Sequence, residues 1–296
     1  MSATPDQLHR FVFEHANVRG ELIHLDRTLQ DVLARRQYPD AVTRLLGEAL
    51  AASGLLSSIL KFRGSLILQL QGQGALPMLV ASATHEQDLR GIARLAENAE
   101  APATGTPLNA VCEQGYLAIT IDPDDTDDRY QGIVPLETER LGEAVENYFS
   151  QSEQLPTRVW LACDGKQAAG LLMQRLPGDA GEDADAWNRA EHLAATITEQ
   201  ELLELGPREI IGRLFHEEDI RLFEPGRVRF NCHCSRERLA GVLQGFGYDE
   251  ARSIIAEQGE IEASCEFCGH TYRFDSVDVE QLFSDGGIAP PDDTQH

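Results

Sequence analysis

The sequence predicts an α+β fold: an N-terminal mixed α/β domain with antiparallel-rich sheets, a helical linker, and a small C-terminal domain that carries most of the cysteines. Three observations lead there. Short alternating apolar runs ending in turn residues are interspersed irregularly with helical stretches, unlike the regular alternation of a doubly wound sheet. The composition breaks at "LPGDAGEDADAW", and four of the six cysteines fall in the last quarter of the 296 residues. The expected divisions are 1–178, 179–228 and 229–296.

In chain order, "VRGELIHL" reads as a strand, and "TLQDVLARR" and "DAVTRLLGEALAASGLLSSIL" carry apolar residues at helical spacing, with Pro39 just ahead of the second. "SLILQLQGQG" alternates Leu66, Leu68 and Leu70 against Gln69 and Gln71, the pattern of a strand that ends in a glycine turn. "PMLVASAT", "GYLAITID" and "RYQGIVPLE" add short strands. "LGEAVENYF" reads as a helix, and "TRVWLACDGKQAAGLLMQRL" as a hairpin turning at Asp164-Gly165.

Pro177, Gly178 and Gly181, with Asp179, Glu182, Asp183 and Asp185, mark a hinge. "AWNRAEHLAATI", "EQELLEL" and "PREIIGRLFHEE" follow at helical period. Between Glu182 and Arg227 stand 12 acids and 5 bases, a net of −7. The segment has apolar residues enough to pack and self-repulsion enough to hold its fold weakly. An ordinary helical linker is the competing reading. In the last region, helices "RERLAGVLQGF" and "DEARSIIAEQG" separate the cysteine pairs, "GHTYRFD" is a strand candidate, and "DGGIAPPDDTQH" is expected to be a mobile tail.

The net charge of −24, from 49 acids and 25 bases, sets the partner classes. Nucleic acid and anionic membranes draw proteins through Lys and Arg, so no nucleic acid and no membrane are expected as partners. The opening "MSATPDQLHRFVFEH" has neither the basic nor the apolar region of a secretory signal, and no apolar run approaches the ~20 residues that span a bilayer. A cytoplasmic location is expected, where clustered cysteines more often bind metal or sense redox state than form permanent disulfides.

Cys232 and Cys234 stand in "RFNCHCSRERL", and Cys265 and Cys268 in "ASCEFCGHTYRF". C-x-C and C-x-x-C are local hooks, each holding two sulfurs close together, as a tetrahedral zinc ion requires. A unit this small and poor in large apolar side chains needs a staple, and structural zinc contributes about 10–16 kcal/mol in small sites. Four thiolates complete the shell, so His233 and His270 are expected as non-ligands. Cys112 and Cys163 lie alone within strand candidates and read as core residues.

The residues from Arg229 onward carry 5 bases and 13 acids, which argues against a nucleic-acid zinc ribbon. A thioredoxin-like C-x-x-C opens a helix, whereas Cys268 runs into the strand-like "GHTYRF". A redox switch is consistent with the geometry. With Zn–S near 2.3 Å, neighbouring sulfurs stand about 3.8 Å apart, close enough to pair once oxidised. The C-x-x-C turn closes more readily than C-x-C, so a bond between Cys265 and Cys268 is expected before one between Cys232 and Cys234.

Other chemistry is set aside. The acidic run Asp122, Asp124, Asp125, Asp127 and Asp128 lacks the Gly and Glu of a calcium loop, with Asp127 and Ile133 in their places. "GQG" lacks the helix of a dinucleotide fingerprint, and "HEQDL" and "HEEDI" lack the second His of a metalloprotease. No enzyme is expected.

The chain resembles a known family, the redox-regulated bacterial holdase chaperones called heat-shock protein 33. The resemblance is carried by "DQLHRFVFEHANVRGELI", "LKFRGSLILQLQGQG", "RYQGIVPLE", "YFSQSEQLPTR", "LFHEEDIRLFEP", "CHCSRERL" and "GEIEASCEFCGHTYRF", in that order and over nearly the whole length. It implies a reduced form, inactive and holding one Zn2+ per chain at Cys232, Cys234, Cys265 and Cys268. It further implies that oxidation, aided by heat, forms the disulfides Cys232–Cys234 and Cys265–Cys268 and releases the zinc. The C-terminal domain and linker then unfold, and a homodimer binds unfolding client proteins without ATP. Clients pass to an Hsp70-type foldase system on reduction. The linker's apolar residues Trp187, Leu193, Ile197, Leu202, Leu203, Leu205, Ile210, Ile211, Leu214 and Phe215 are expected as a main client-contacting element. The alternative is a constitutive protein-interaction module with a purely structural zinc; a third reading, a thiol-disulfide enzyme, predicts turnover of small disulfides.

Overall fold

A computed structural model describes residues 6–59, 63–126, 128–178 and 185–284. Asp127, most of the acidic hinge and the tail from 285 lie outside the described residues. The chain divides into two compact units between Asn231 and Cys232.

The first unit runs β1 (Gln7–Phe13), β2 (Val18–Leu25), α1 (Arg27–Leu33), α2 (Asp40–Ile59), β3 (Gly64–Gln71), β4 (Met78–Thr84), β5 (Asp88–Arg94), α3 (Leu108–Val111), β6 (Tyr116–Pro123), β7 (Tyr130–Pro135), α4 (Leu141–Tyr148), β8 (Thr157–Cys163) and β9 (Ala168–Arg175). It continues through α5 (Ala186–Ala194), α6 (Glu199–Glu204), α7 (Pro207–Leu214), β10 (Ile220–Leu222), β11 (Gly226–Arg227) and β12 (Arg229–Phe230). The second holds α8 (Arg236–Phe246), α9 (Tyr248–Gln258), β13 (Ile261–Ser264), β14 (Thr271–Phe274) and α10 (Ser276–Ser284). The expected α+β class is the observed one.

Two sheets build the first unit. One has the order β10-β1-β2-β9-β8, with β11 also on β1; the other has the order β12-β5-β4-β3-β6-β7. Helix α2 packs on strands of both sheets. This explains why its apolar residues run round the whole helix rather than along one stripe. Small residues let the sheets approach it: a methyl on Gly47 would overlap the Cys163 side chain, and one on Gly54 would meet Ile23. Ser53 and Ser57, buried on α2, donate to the carbonyls of Leu50 and Gly54, so neither hydroxyl is orphaned.

The hairpin β8–β9 turns at Asp164-Gly165, as the sequence indicates. Gly165 takes a φ of +88°, and the Asp164 carboxylate accepts the N–H groups of Lys166 and Gln167. Strands β1 and β5 escape pattern reading. β1 mixes His9 and Arg10 among its apolar residues, and β5 begins with Asp88, a carboxylate buried by its tertiary partners. One expectation needs correcting: Cys112 lies in no strand but caps the one-turn helix α3, its N–H donating to the Leu108 carbonyl.

The outer face of the first sheet is covered by the segment rich in acids. Phe11, Phe13, Val18, Leu22, Leu171 and Met173 form one core with Trp187, Leu202, Leu203, Ile210, Leu214 and Phe215. Helix α6 begins at a capping box, in which Thr198 and Glu201 satisfy each other's backbone donors, and α7 begins with Pro207 at its first turn. Ion pairs absorb part of the charge. Arg158 reaches Glu191 at 2.6 Å and Glu146 at 3.0 Å, Arg140 reaches Glu199 at 3.2 Å, and Arg213 reaches Glu201 at 2.7 Å.

Candidate metal centre

The second unit has a small core of Leu243, Ala251, Ile261, Phe274 and Val279. Its four cysteines converge. The Sγ atoms of Cys232, Cys234, Cys265 and Cys268 all lie within 4.8 Å of one another. Cys232 and Cys265 are 3.7 Å apart and Cys234 and Cys268 3.4 Å, two contacts that run between the hooks. A tetrahedral zinc with 2.3 Å bonds needs edges of about 3.8 Å. Four soft donors at this spacing fit such an ion.

Local structure shapes each hook. Ser235, directly after Cys234, caps α8 by accepting the Arg238 N–H, which sets the C-x-C hook at the positive end of the helix. The C-x-x-C hook is a turn between β13 and β14. The Cys265 N–H donates to the His270 carbonyl at 2.9 Å and the Gly269 N–H to the Cys265 carbonyl at 2.8 Å. Gly269 has a φ of +73°, in the left-handed region that favours glycine.

Tyr272, not singled out by the sequence, completes the surroundings. Its Oη lies 3.4 Å from Cys234 Sγ and donates to the Cys234 carbonyl at 3.2 Å. Partial burial acts to raise the Cys234 pKa, but hydrogen bonds from Tyr272 and the neighbouring thiols outweigh it and hold the thiol below its ordinary value. Burial, with hydrogen bonds to the neighbouring thiols, pushes Cys268 up to about 12. A bound cation would draw protons from all four thiols and hold them as thiolates. Among the described residues, neither His233 nor His270 joins the cluster; the His270 ring stands edge-on to Tyr272 at 4.5 Å. Arg236 lies over the Phe274 ring at 4.4 Å and binds the Asp278 carboxylate at 2.7 Å, tying α8 to β14 and α10.

Cys112 and Cys163 are far less available. Both are buried, and burial pushes their thiols up to about 11 and about 12 respectively. At neutral pH they remain protonated and weakly nucleophilic.

No described helix is long and apolar enough to cross a membrane. Comparison with known proteins identifies the lineage. The family model described as "Hsp33 protein" matches residues 6–275. The chain is 50% identical over 291 residues to a 33 kDa chaperonin of Nitrosococcus oceani, covering 98% of this chain and 99% of that one. It is 45% identical over 296 residues to a 33 kDa chaperonin of Pseudomonas fluorescens, covering 98% of each. Its fold matches the crystal structure of a 33 kDa chaperonin from Thermotoga maritima with a TM-score of 0.79, at 22% identity, over 95% of this chain and 99% of that chain. With a family model and relatives that span nearly its entire length, the chain belongs to the Hsp33 family.

Proposed function

We propose that the protein is a redox-regulated, ATP-independent holdase chaperone whose switch is a zinc site formed by Cys232, Cys234, Cys265 and Cys268. Family membership supports the chaperone function, and with it the binding of unfolding clients. The observation that carries the redox part is the convergence of four sulfurs on a unit with so small an apolar core. Bound zinc would hold all four sulfurs as thiolates and cross-link the hooks, supplying stability the core lacks.

Oxidation removes two electrons for each disulfide formed. With peroxide, two thiolates and two protons give one S–S bond and two waters. Both bonds together leave no thiolate donors for the ion. We assign the final bonds to Cys232–Cys234 and Cys265–Cys268. The hooks stay local as the unit melts, whereas the cross-hook pairs must hold long loops closed. The small domain (229–296) then unfolds, the linker (179–228) leaves the N-terminal domain (1–178), and the residues now packed on the first sheet meet clients. At ~25 cal/mol per Å² of apolar surface, exposure of Trp187, Leu202, Ile210, Leu214 and Phe215 provides substantial affinity. The oxidised form dimerises, and reduction passes clients to an Hsp70-type foldase. The protein is not an enzyme and acts in the cytoplasm.

The test is suppression of aggregation of a heat-denatured protein, with zinc measured on the same sample, before and after peroxide with warming. Activity gained in step with zinc release is expected. Equal activity in both states favours a constitutive interaction module with structural zinc, and turnover of small disulfides favours a thiol-disulfide enzyme.

A further inference from the structure

The two hooks of the metal centre are held by unequal means. C-x-x-C is closed by its own turn and by the hairpin β13–β14, whose Ser264 and Thr271 hydroxyls meet at 2.7 Å. C-x-C has no hairpin around it. Side chains reach its carbonyls instead: Arg238 Nη1 donates to the His233 carbonyl at 3.1 Å, and Tyr272 Oη donates to the Cys234 carbonyl at 3.2 Å. Arg238 is a near neighbour on α8. Tyr272 comes from β14, the strand that leaves the other hook.

Strand geometry explains how it arrives. Tyr272 and Phe274 flank Arg273, so they share the hairpin face that packs on the small core, where Phe274 is fully buried. Opposite Tyr272 stands the small Ala263, and the His270 ring lies edge-on to the phenol at 4.5 Å. The ring is thus packed in place, while the hydroxyl proton is free to turn. Two acceptors lie within its reach, the Cys234 carbonyl at 3.2 Å and Cys234 Sγ at 3.4 Å, and a phenol has one proton to give. A thiolate attracts it more strongly than a carbonyl, because that bond is charge-assisted.

We infer that Tyr272 is the positioning residue of the metal centre: its hydroxyl holds Cys234 in ligating register with the C-x-x-C hook and stabilises that sulfur as a thiolate. This rests on the metal-switch reading above and adds to it the residue that sets how tightly the ion is kept. While Cys234 is a neutral thiol, the bond to its carbonyl keeps the hook in place. Once the sulfur is a thiolate, the same proton serves it. Groups that hydrogen-bond to metal ligands govern affinity along with the ligands themselves, and losing one lowers metal affinity by about 10–100-fold. Phe at this position keeps the ring and its packing and deletes only the oxygen.

The experiment uses the full-length reduced protein, loaded with zinc for affinity and with cobalt for spectroscopy. Competition against a chromophoric chelator measures zinc affinity, and the sulfur-to-cobalt charge-transfer band reports electron density on the sulfurs. Tyr272→Phe should weaken zinc binding by about tenfold or more. It should also move the band to lower energy, because a sulfur that loses a hydrogen bond gives up electrons more readily. Arg238→Ala, which frees the His233 carbonyl without touching a sulfur, should leave the band in place. Replacing Tyr272 by 3-fluorotyrosine, of nearly the same shape but a stronger donor, should move the band to higher energy, and it carries the test if Tyr272→Phe fails to fold. A band unmoved in both Tyr272 replacements overturns the inference even if zinc affinity falls, since Tyr272 would then act through packing alone. Unchanged zinc affinity in Tyr272→Phe overturns it as well, as does a band that moves equally far in Arg238→Ala. A wild-type protein that takes up neither metal would instead sink the metal-switch reading, and this inference with it.

Discussion

His24 Nε2, buried on β2, lies 2.8 Å from the carbonyl oxygen of Leu202 in α6, joining the first sheet to the linker that covers it. Burial lowers the His24 pKa, the Leu202 bond works against that, and nearby His9 lowers it further. His9 is itself lowered by burial and by Arg208. Docking of the linker therefore disfavours the charged form of both histidines. Below the ordinary value of 6.5 the undocked state takes up protons that the docked state resists, so this stability is complete above 6.5 and declines as pH falls. Exchange in α6, corrected for intrinsic rates, should be faster at pH 5.5 than at pH 7.5. His24→Gln, which keeps a donor without the titration, should flatten the dependence.

Glu48 on α2 shows the opposite sign. Burial, helped by Glu199, pushes its carboxyl up to about 7. The folded state binds the extra proton between the ordinary 4.5 and about 7, so stability falls across that window and is lowest above it. Glu48→Gln should stabilise the first unit by about 1–2 kcal/mol at pH 8 and add nothing at pH 4. Urea unfolding at the two pH values measures this.

Phe215 closes the linker's last helix against β1, with ring centroids 5.3 Å from Phe13 and 6.1 Å from Phe11. Truncating a buried aromatic costs about 3–5 kcal/mol. Phe215→Ala should undock the linker without oxidant, and the reduced protein should then suppress aggregation. An unchanged reduced-state activity would remove the linker from client binding.

The thiols should divide four to two. After chelation, native alkylation should modify Cys232, Cys234, Cys265 and Cys268 and spare the buried Cys112 and Cys163, as intact-mass measurement would read. Cys265→Ser should lower the zinc content below one per chain and abolish protection in β13 and β14. Cys163→Ser should leave metal content unchanged.

Much of this was legible in the chain itself. The strands around Leu66, Leu68 and Leu70 announce themselves because one face is buried and the other is not, which writes a period of two. The hooks were legible because both cysteines of each lie within four residues. Tyr272 was not, since nothing in "GHTYRF" says which side chain turns toward Cys234. Asp88 was hidden for a stronger reason: an acid at a strand's start reads as exposed unless its partners Arg229 and Asn231, 141 and 143 residues away, are known.

By itself, then, the amino-acid order determined the fold class, the placing of four cysteines in two hooks, the acidic net charge, and the apolar period of the linker. All of these are local patterns, set by helix and strand geometry over a few residues. Tertiary structure alone decided that the linker is docked on the first sheet, that His24 meets Leu202, and that Asp88 grips the strand leading to Cys232. Those contacts join residues far apart in the chain, and their energies come from burial, which has no value until the fold has chosen what is inside.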